Sequence, residues 1–293
     1  MRSVAESTIT APPRVPPVVF VLGAISSVQV GAALAKTLFD EIGPGGTVFV
    51  RVLFAALVLV LIWRPRVAGL GRREILLAVL FGLTLGCMNL AFYSALDRIP
   101  LGITVTLEFV GPLGVAVAGS RGALDLLWVA LAAAGILLLS DFGTGDLDRA
   151  GVALALLAGG LWAAYILLSA RVGQAFPGGS GLALAMIVAA ALLLPVGVAE
   201  AGADLLVPWI LAAGAAVAIL SSAIPYSLEL EALRRMPAGV FGVLMSLEPA
   251  VAALAGFVVL GEDLVARELV AILLVVAASA GAASGGRIAP RDA

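Results

Sequence analysis

The sequence predicts an all-α polytopic membrane protein, with ten transmembrane helices arranged as two inverted five-helix repeats. Three observations carry this. The chain of 293 residues is 62% apolar and 12% charged, with a mean hydropathy of +1.16, whereas soluble domains are roughly half apolar and a quarter charged. Its apolar residues fall in runs near the length of about 20 that crosses a bilayer core. A sequence pattern also recurs at a fixed offset of 137 residues (Ala95 to Ala232).

Taken in order, residues 1–17 are polar and proline-rich ("TAPPRVPP") and read as a disordered cytoplasmic tail. The first apolar run, 18–37, contains Ala33-Leu34-Ala35, which resembles a signal-peptidase site. The run is nevertheless long enough to span and carries Gln29 in its middle, so it is assigned as the first membrane helix. Runs 46–63, 75–96, 101–119 and 126–141 complete a first repeat over 18–141. Runs 150–170, 181–200, 208–230, 237–260 and 267–284 form the second repeat, over 150–284, and 285–293 is a second cytoplasmic tail. Connections such as "DRIP" and "RRMP" are brief, which predicts antiparallel neighbours.

Basic residues set the orientation. With ten spans, one side holds Arg2, Arg14, Arg64, Arg66, Arg72, Arg73, Arg121, Arg171, Arg234, Arg235, Arg287 and Arg291. The other holds Lys36, Arg98, Arg149 and Arg267, and Arg51 lies inside a helix. Twelve against four puts both termini in the cytoplasm. The recurring pattern is "ALDRIPLG" (95–102) against "ALRRMPAG" (232–239); at the same offset Pro112 falls on Pro249 and Gly23 on Gly160. Five helices is an odd number, so the second half enters the membrane from the opposite face, as in secondary transporters whose sites lie near the midplane between halves.

Composition excludes several chemistries. There is no histidine, and Cys87 is the lone cysteine, so no internal disulfide, metal centre or imidazole relay is expected, and no cofactor. The net charge of −2 argues against a nucleic-acid partner. No Gly-x-Ser-x-Gly motif or nucleophile–base pair is present, so no catalytic residues are assigned, and an intramembrane enzyme is the remote alternative.

The candidate site rests on polar groups held inside apolar helices, which by default face a cavity or pathway. Glu108 in "VTLEFVGPLG" and Glu248 in "MSLEPAVAAL" are the central pair. At 1.5 Å per residue Glu108 lies roughly 10 Å from the outer end of its helix, and Glu248 roughly 16 Å from the inner end of its own. Pro112 and Pro249 lack an N–H and so free the carbonyls of Glu108 and Met245, which suits an ammonium group. Pro225, Tyr226 and Glu229 share a helical face in the eighth run, with Ser221's carbonyl freed, and the three prolines mark helix breaks that could gate. Gln29, Asn89, Trp162 and Tyr165 complete the proposed substrate- and proton-binding set; each amide or aromatic ring could equally serve helix packing. Arg51 is expected either to snorkel outward or to answer one of the glutamates, and Glu231 to pair with Arg234 and Arg235. Gln29, Asn89, Trp162, Tyr165, Tyr226, Glu108 and Glu248 are expected around one water-accessible space between the halves. There a carboxyl that alternately holds a proton and a substrate ammonium couples the two movements, with an amide such as Gln29 or Asn89 taking the substrate carboxylate.

Several segments resemble the EamA-type branch of the drug/metabolite transporter superfamily, and within it bacterial threonine/homoserine exporters. These are "SVQVGAALAKTLFDEIGPGG" (27–46), "MNLAFYSALDRIPLGITVTLEFVGPLGVAVAGSR" (88–121), "LWAAYILLSAR" (161–171) and "AILSSAIPYSLELEALRRMPAGVFGVLMSLEPAVAALAGFVVLGE" (218–262). The resemblance implies ten helices in inverted halves, multi-pass insertion in the bacterial cytoplasmic membrane, and secondary active export of small amino acids or related zwitterions, driven by proton antiport. The expected partners are a small-molecule substrate, the lipid bilayer and protons as coupling ion, with a homodimer left open. A permease for another small solute is the alternative. A phosphorylated-sugar carrier would need midplane cations, and only Arg51 and Lys36 are at hand; a drug pump would favour more than 6% aromatics.

Overall fold

The computed structural model describes residues 15–99, 101–139, 148–255 and 266–285, and every regular element among them is helical. Most of the two expected tails, 1–14 and 286–293, and the link 141–147 lie outside the described residues, as does the end of the ninth run. The helices are α1 Pro17–Trp63, α2 Arg72–Leu96, α3 Leu101–Glu108, α4 Val110–Gly119, α5 Ala123–Leu139 and α6 Arg149–Ala175. They continue as α7 Ser180–Ala201, α8 Pro208–Ala218, α9 Ile224–Arg235, α10 Ala238–Met245, α11 Leu247–Ala255 and α12 Ala266–Gly285. A 3₁₀ turn, Gly202–Leu206, precedes α8, and a π-helical turn, Ile219–Ala223, joins α8 to α9.

Among the described residues, five helical stretches are long and apolar enough to cross a membrane: Thr37–Trp63, Arg72–Leu96, Arg149–Ala175, Ser180–Leu206 and Pro208–Arg235. Five shorter apolar helices are interspersed with them, at Pro17–Gly31, Ile103–Gly119, Ala123–Leu138, Ala238–Val251 and Leu269–Ser284. Together they follow, in order, the ten runs read from the sequence.

Five runs differ in detail from straight, separate helices. The first two are one hydrogen-bonded helix, α1, kinked at Gly43 with φ 68° and ψ 172°. Glycine tolerates this positive φ, Pro44 has no N–H and so needs no intrahelical acceptor, and the free N–H of Gly45 is capped from α7 by Glu200 Oε2 at 2.7 Å. The fourth run is divided at Phe109 and the ninth at Ser246, each three residues ahead of a proline. In the eighth, where Pro225 marks an expected helix break, the proline follows a π turn, because widening the helix relieves the clash between the ring and the carbonyl one turn back.

Leu76, Leu80 and Leu83 on α2, and Leu269, Leu273 and Val276 on α12, are exposed at i, i+4, i+7 spacing. These apolar outer stripes suit lipid. Inside, helices meet through small residues: a Cβ on Gly111 of α4 would strike the carbonyl of Gly159 on α6, and Gly119 of α4 lies against Gly239 of α10. Such close backbone approach is how helices associate where lipid removes the hydrophobic drive. α1 packs along α7, α8 and α9; α2 lies between α6 and α7; α5 pairs with α12.

Each end of the bundle is tied by its own contacts. At one end Arg234 donates to the carbonyls of Gly173 (2.6 Å), Phe176 (2.9 Å) and Gly178. Arg235 lies 4.7 Å over Phe20 and donates to Val15 O at 3.5 Å. Glu231 pairs with both arginines, as expected. At the other end Arg98 bridges Asp148 at 3.3 Å.

Candidate substrate site

The interior polar groups converge on one place. Arg51, on the second part of α1, is only 8% exposed and donates from Nη2 to Asn89 Oδ1 of α2. Asn89 is itself fixed: its Nδ2 donates to Leu85 O at 2.8 Å and to the Tyr226 hydroxyl of α9 at 3.2 Å. With both N–H bonds engaged, Asn89 has no donor left for a carboxylate, which removes the carboxylate-binding role expected of it. Arg51's guanidinium carbon stands 5.2 Å above the Tyr93 ring. It therefore does not snorkel.

A second pair lies alongside. Tyr165 of α6, wholly buried, donates to Glu229 Oε2 at 2.8 Å. The rings of Tyr165 and Tyr226 are 5.6 Å apart, which links the two pairs, and Phe81 stacks on Tyr165 at 5.4 Å. Trp162, three residues before Tyr165, packs its edge on Phe109 at 5.0 Å, at the break between α3 and α4.

Glu108 and Glu248 are half-buried and make no hydrogen bond through their carboxylates among the described residues. Glu108 is close enough to Glu248 and to Arg51 for both charges to act on it, and Glu248 is within reach of Glu229. Arg51 forms no ion pair with either glutamate among the described residues. The carbonyl that Pro112 frees on Glu108 is turned against α6: a Cβ on Gly159 would come within 2.7 Å of it. It is taken up in helix packing rather than open to an ammonium, contrary to expectation. Pro225 is buried behind the π turn, and Pro249 is half-buried in the first turn of α11. Gln29 is half-buried without a hydrogen bond among the described residues and is not drawn into the network.

Two clefts open at opposite ends. One, of about 400 Å³, is lined by Pro44, Gly45, Tyr93, Asp97, Arg98 and Glu200, among others, and reaches down to the ring under Arg51. The other, about 500 Å³, lies between the 63–70 link and residues 176–184. Sequence reasoning missed Tyr93 and Phe109, whose roles as platforms for Arg51 and Trp162 come from tertiary contact. A signal existed for Tyr93, which lies four residues after Asn89 and so on the same helical face. Asn89 and Tyr226 are separated by the 137-residue offset of the repeat, a match the sequence offered without its significance being visible.

A bundle of apolar helices around a cluster of carboxylates, a guanidinium and tyrosines has the make-up of a multi-pass membrane transporter. Comparison places it further. The EamA-like transporter family model matches residues 149–283. The chain is 43% identical over 268 residues to the threonine/homoserine exporter RhtA of Salmonella typhimurium (strain LT2), and 42% over 267 residues to RhtA of Escherichia coli (strain K12); each alignment covers 90% of both chains. A solved crystal structure at 18% identity superposes with a TM-score of 0.75, over 92% of this chain and 97% of its own, and so shares the fold. The chain belongs to the EamA-like transporter family.

Proposed function

We propose that this protein exports small zwitterionic amino acids of the threonine and homoserine kind across the bacterial cytoplasmic membrane, in exchange for protons. The observation that carries the reading is the pair Glu108 and Glu248: two carboxylates inside the bundle, each beside a helix break, neither tied up by a hydrogen bond among the described residues. A buried charge left unpaired is costly, so such groups are kept for a ligand or a proton. The likeness to two threonine/homoserine exporters over most of the chain supports the substrate class.

The same reading takes the chain as ten membrane-spanning helices in two inverted halves with both termini cytoplasmic. Two features support the repeat. Phe109 (φ −63°, ψ −13°) and Ser246 (φ −62°, ψ −13°) break their helices at the 137-residue offset with the same backbone geometry. Helix contacts also exchange at that offset: α2 on α6 is answered by α9 on the first part of α1, and α2 on α7 by α8 on the second part. Halves that pack alike can rock about a shared site. Protons are the coupling ion, the substrate is the partner, and Gln29, Trp162 and Tyr165 line the path.

Right-side-out vesicles holding the purified protein and preloaded with labelled threonine or homoserine provide the test. Efflux faster than in protein-free vesicles, accelerated by an inward proton gradient and slowed by an uncoupler, is the expected result. Efflux indifferent to the gradient removes the antiport. Equal efflux with and without protein removes the substrate assignment.

A further inference from the structure

We infer that Arg51 is the anchor for the substrate's carboxylate, and thus the residue that restricts transport to solutes carrying one. This rests on the reading that the substrate is an amino acid. The first observation is an imbalance. Arg51 is 8% exposed, yet no described carboxylate forms an ion pair with it; the described ion pairs use Arg98, Arg234 and Arg235. A guanidinium offers five donors. Here Nη2 serves Asn89, while Nε is buried with no partner among the described residues. Burying a cation with unmet donors is destabilising unless something completes its shell.

The second observation is that the side chain is held in place rather than left to find a partner. Asn89 presents Oδ1 to Arg51 because both of its N–H bonds are fixed on Leu85 and Tyr226. Tyr93 supports the guanidinium plane from one side. A planar fork immobilised in this way is suited to a carboxylate, which it can grip with two parallel hydrogen bonds.

Third, the site is reachable. Tyr93 lines the cleft of about 400 Å³ that opens between Pro44, Gly45, Asp97, Arg98 and Glu200. Fourth, the opposite charge is next door: Glu108 lies within reach of Arg51's field without contacting it. An α-amino acid carries its carboxylate and ammonium a few ångströms apart, so it can bridge the guanidinium and Glu108 and satisfy both. An amine without a carboxylate satisfies only one.

The test measures binding to the purified, detergent-solubilised full chain by ligand-induced thermal stabilisation. The probes are L-threonine, L-threoninol (the same molecule with the carboxylate reduced to an alcohol) and a simple carboxylic acid, lactate. The wild type is expected to bind threonine at least about tenfold more tightly than threoninol. Arg51→Gln should lose about tenfold or more for threonine while binding threoninol as before, so that discrimination collapses. Arg51→Lys keeps the charge without the fork and should fall between; it carries the test if the Gln variant does not fold. Arg51 variants that keep the wild-type preference for threonine, or weaken both ligands equally, overturn the inference. If the wild type does not respond to threonine but lactate stabilises it through Arg51, the amino-acid reading fails while the carboxylate anchor stands. If no carboxylate stabilises the wild type, the anchor is wrong as well.

Discussion

The two broken helices, α3–α4 and α10–α11, share one backbone and differ in what they carry. Both turn three residues before a proline, with φ and ψ agreeing to about one degree. At the 137-residue offset, however, Glu108 faces Met245, and Gly111 faces Glu248. Met245 is 3% exposed and packed in the main core. Gly111 is pressed against the backbone of Gly159, with no room for a Cβ. Each break therefore has two special positions, one packed shut and one bearing a carboxylate, and the two breaks use opposite ones. The acids are thus not equivalent: Glu108 precedes its break by one residue, and Glu248 follows its own by two.

The largest effect that could break this comparison lies at the closed seam. Gly111→Leu should abolish stable folding, because overpacking a tight interface costs at least about 1–3 kcal/mol and here the obstacle is backbone. Gly114→Ala on the same helix meets nothing within 4 Å and should leave thermal unfolding unchanged or raise stability by about 0.5–1 kcal/mol. Thermal melts in detergent distinguish them; a Gly111→Leu protein as stable as wild type would mean the seam is not tight.

The prolines come next. Pro249→Ala restores a donor inside a helix and should stabilise by up to about 3 kcal/mol while slowing efflux. Pro112→Ala should gain less, since the carbonyl it would serve already lies against Gly159. Equal gains at both sites would contradict the packing difference.

Smaller still are the tyrosines that join the halves. Tyr165→Phe leaves Glu229 without its hydrogen bond and should cost about 1.5–3 kcal/mol, whereas Tyr226→Phe removes one bond from Asn89 and should cost about 0.5–1.5 kcal/mol. Chemical unfolding monitored by tryptophan fluorescence gives the order.

The smallest effect sits at the first turns of α1 and α6. α1 starts at Pro17 with no side-chain cap, but α6 is capped by Asp148, which accepts from the Ala150 N–H at 2.9 Å. That amide first, and Arg98 second, hold the Asp148 carboxyl below its usual value of 3.8. The sign follows: a depressed native value makes the cap's contribution complete above the unfolded value and lost as the pH falls through the native one. Asp148→Asn should lose that small contribution at neutral pH and flatten the decline below about pH 4, so that the two proteins converge in acid, as melts across pH 3–7 would record.

Much of this was legible in the sequence, for a physical reason. Lipid imposes a length and an apolar composition on every span, so ten runs could be counted directly and all ten reappear as helices. The prolines located the breaks because proline acts on its own backbone. What stayed hidden depends on which helix faces which. Nothing in "VFVRVLF" says that Arg51 turns inward onto Tyr93, nor does "FDEIGPGG" reveal that Glu200, 155 residues away, caps Gly45. Asn89 was recognised as a polar group in the right place but given the wrong job. Its donors are used by partners on its own helix and on α9, and that can be counted only once the fold is known.

The central claim is that Glu108 and Glu248 exchange a proton for the substrate's ammonium. Glu108→Gln and Glu248→Gln fill the same volume without the charge, so both variants should fold. The measurement is threonine efflux from vesicles across external pH 5–8, with and without an inward proton gradient, for the wild type and each variant. The account predicts that the variants lose acceleration by the gradient and the dependence on pH, while downhill exchange persists. Variants that export at the wild-type rate with the wild-type pH profile would contradict it, and the two glutamates would then be packing residues.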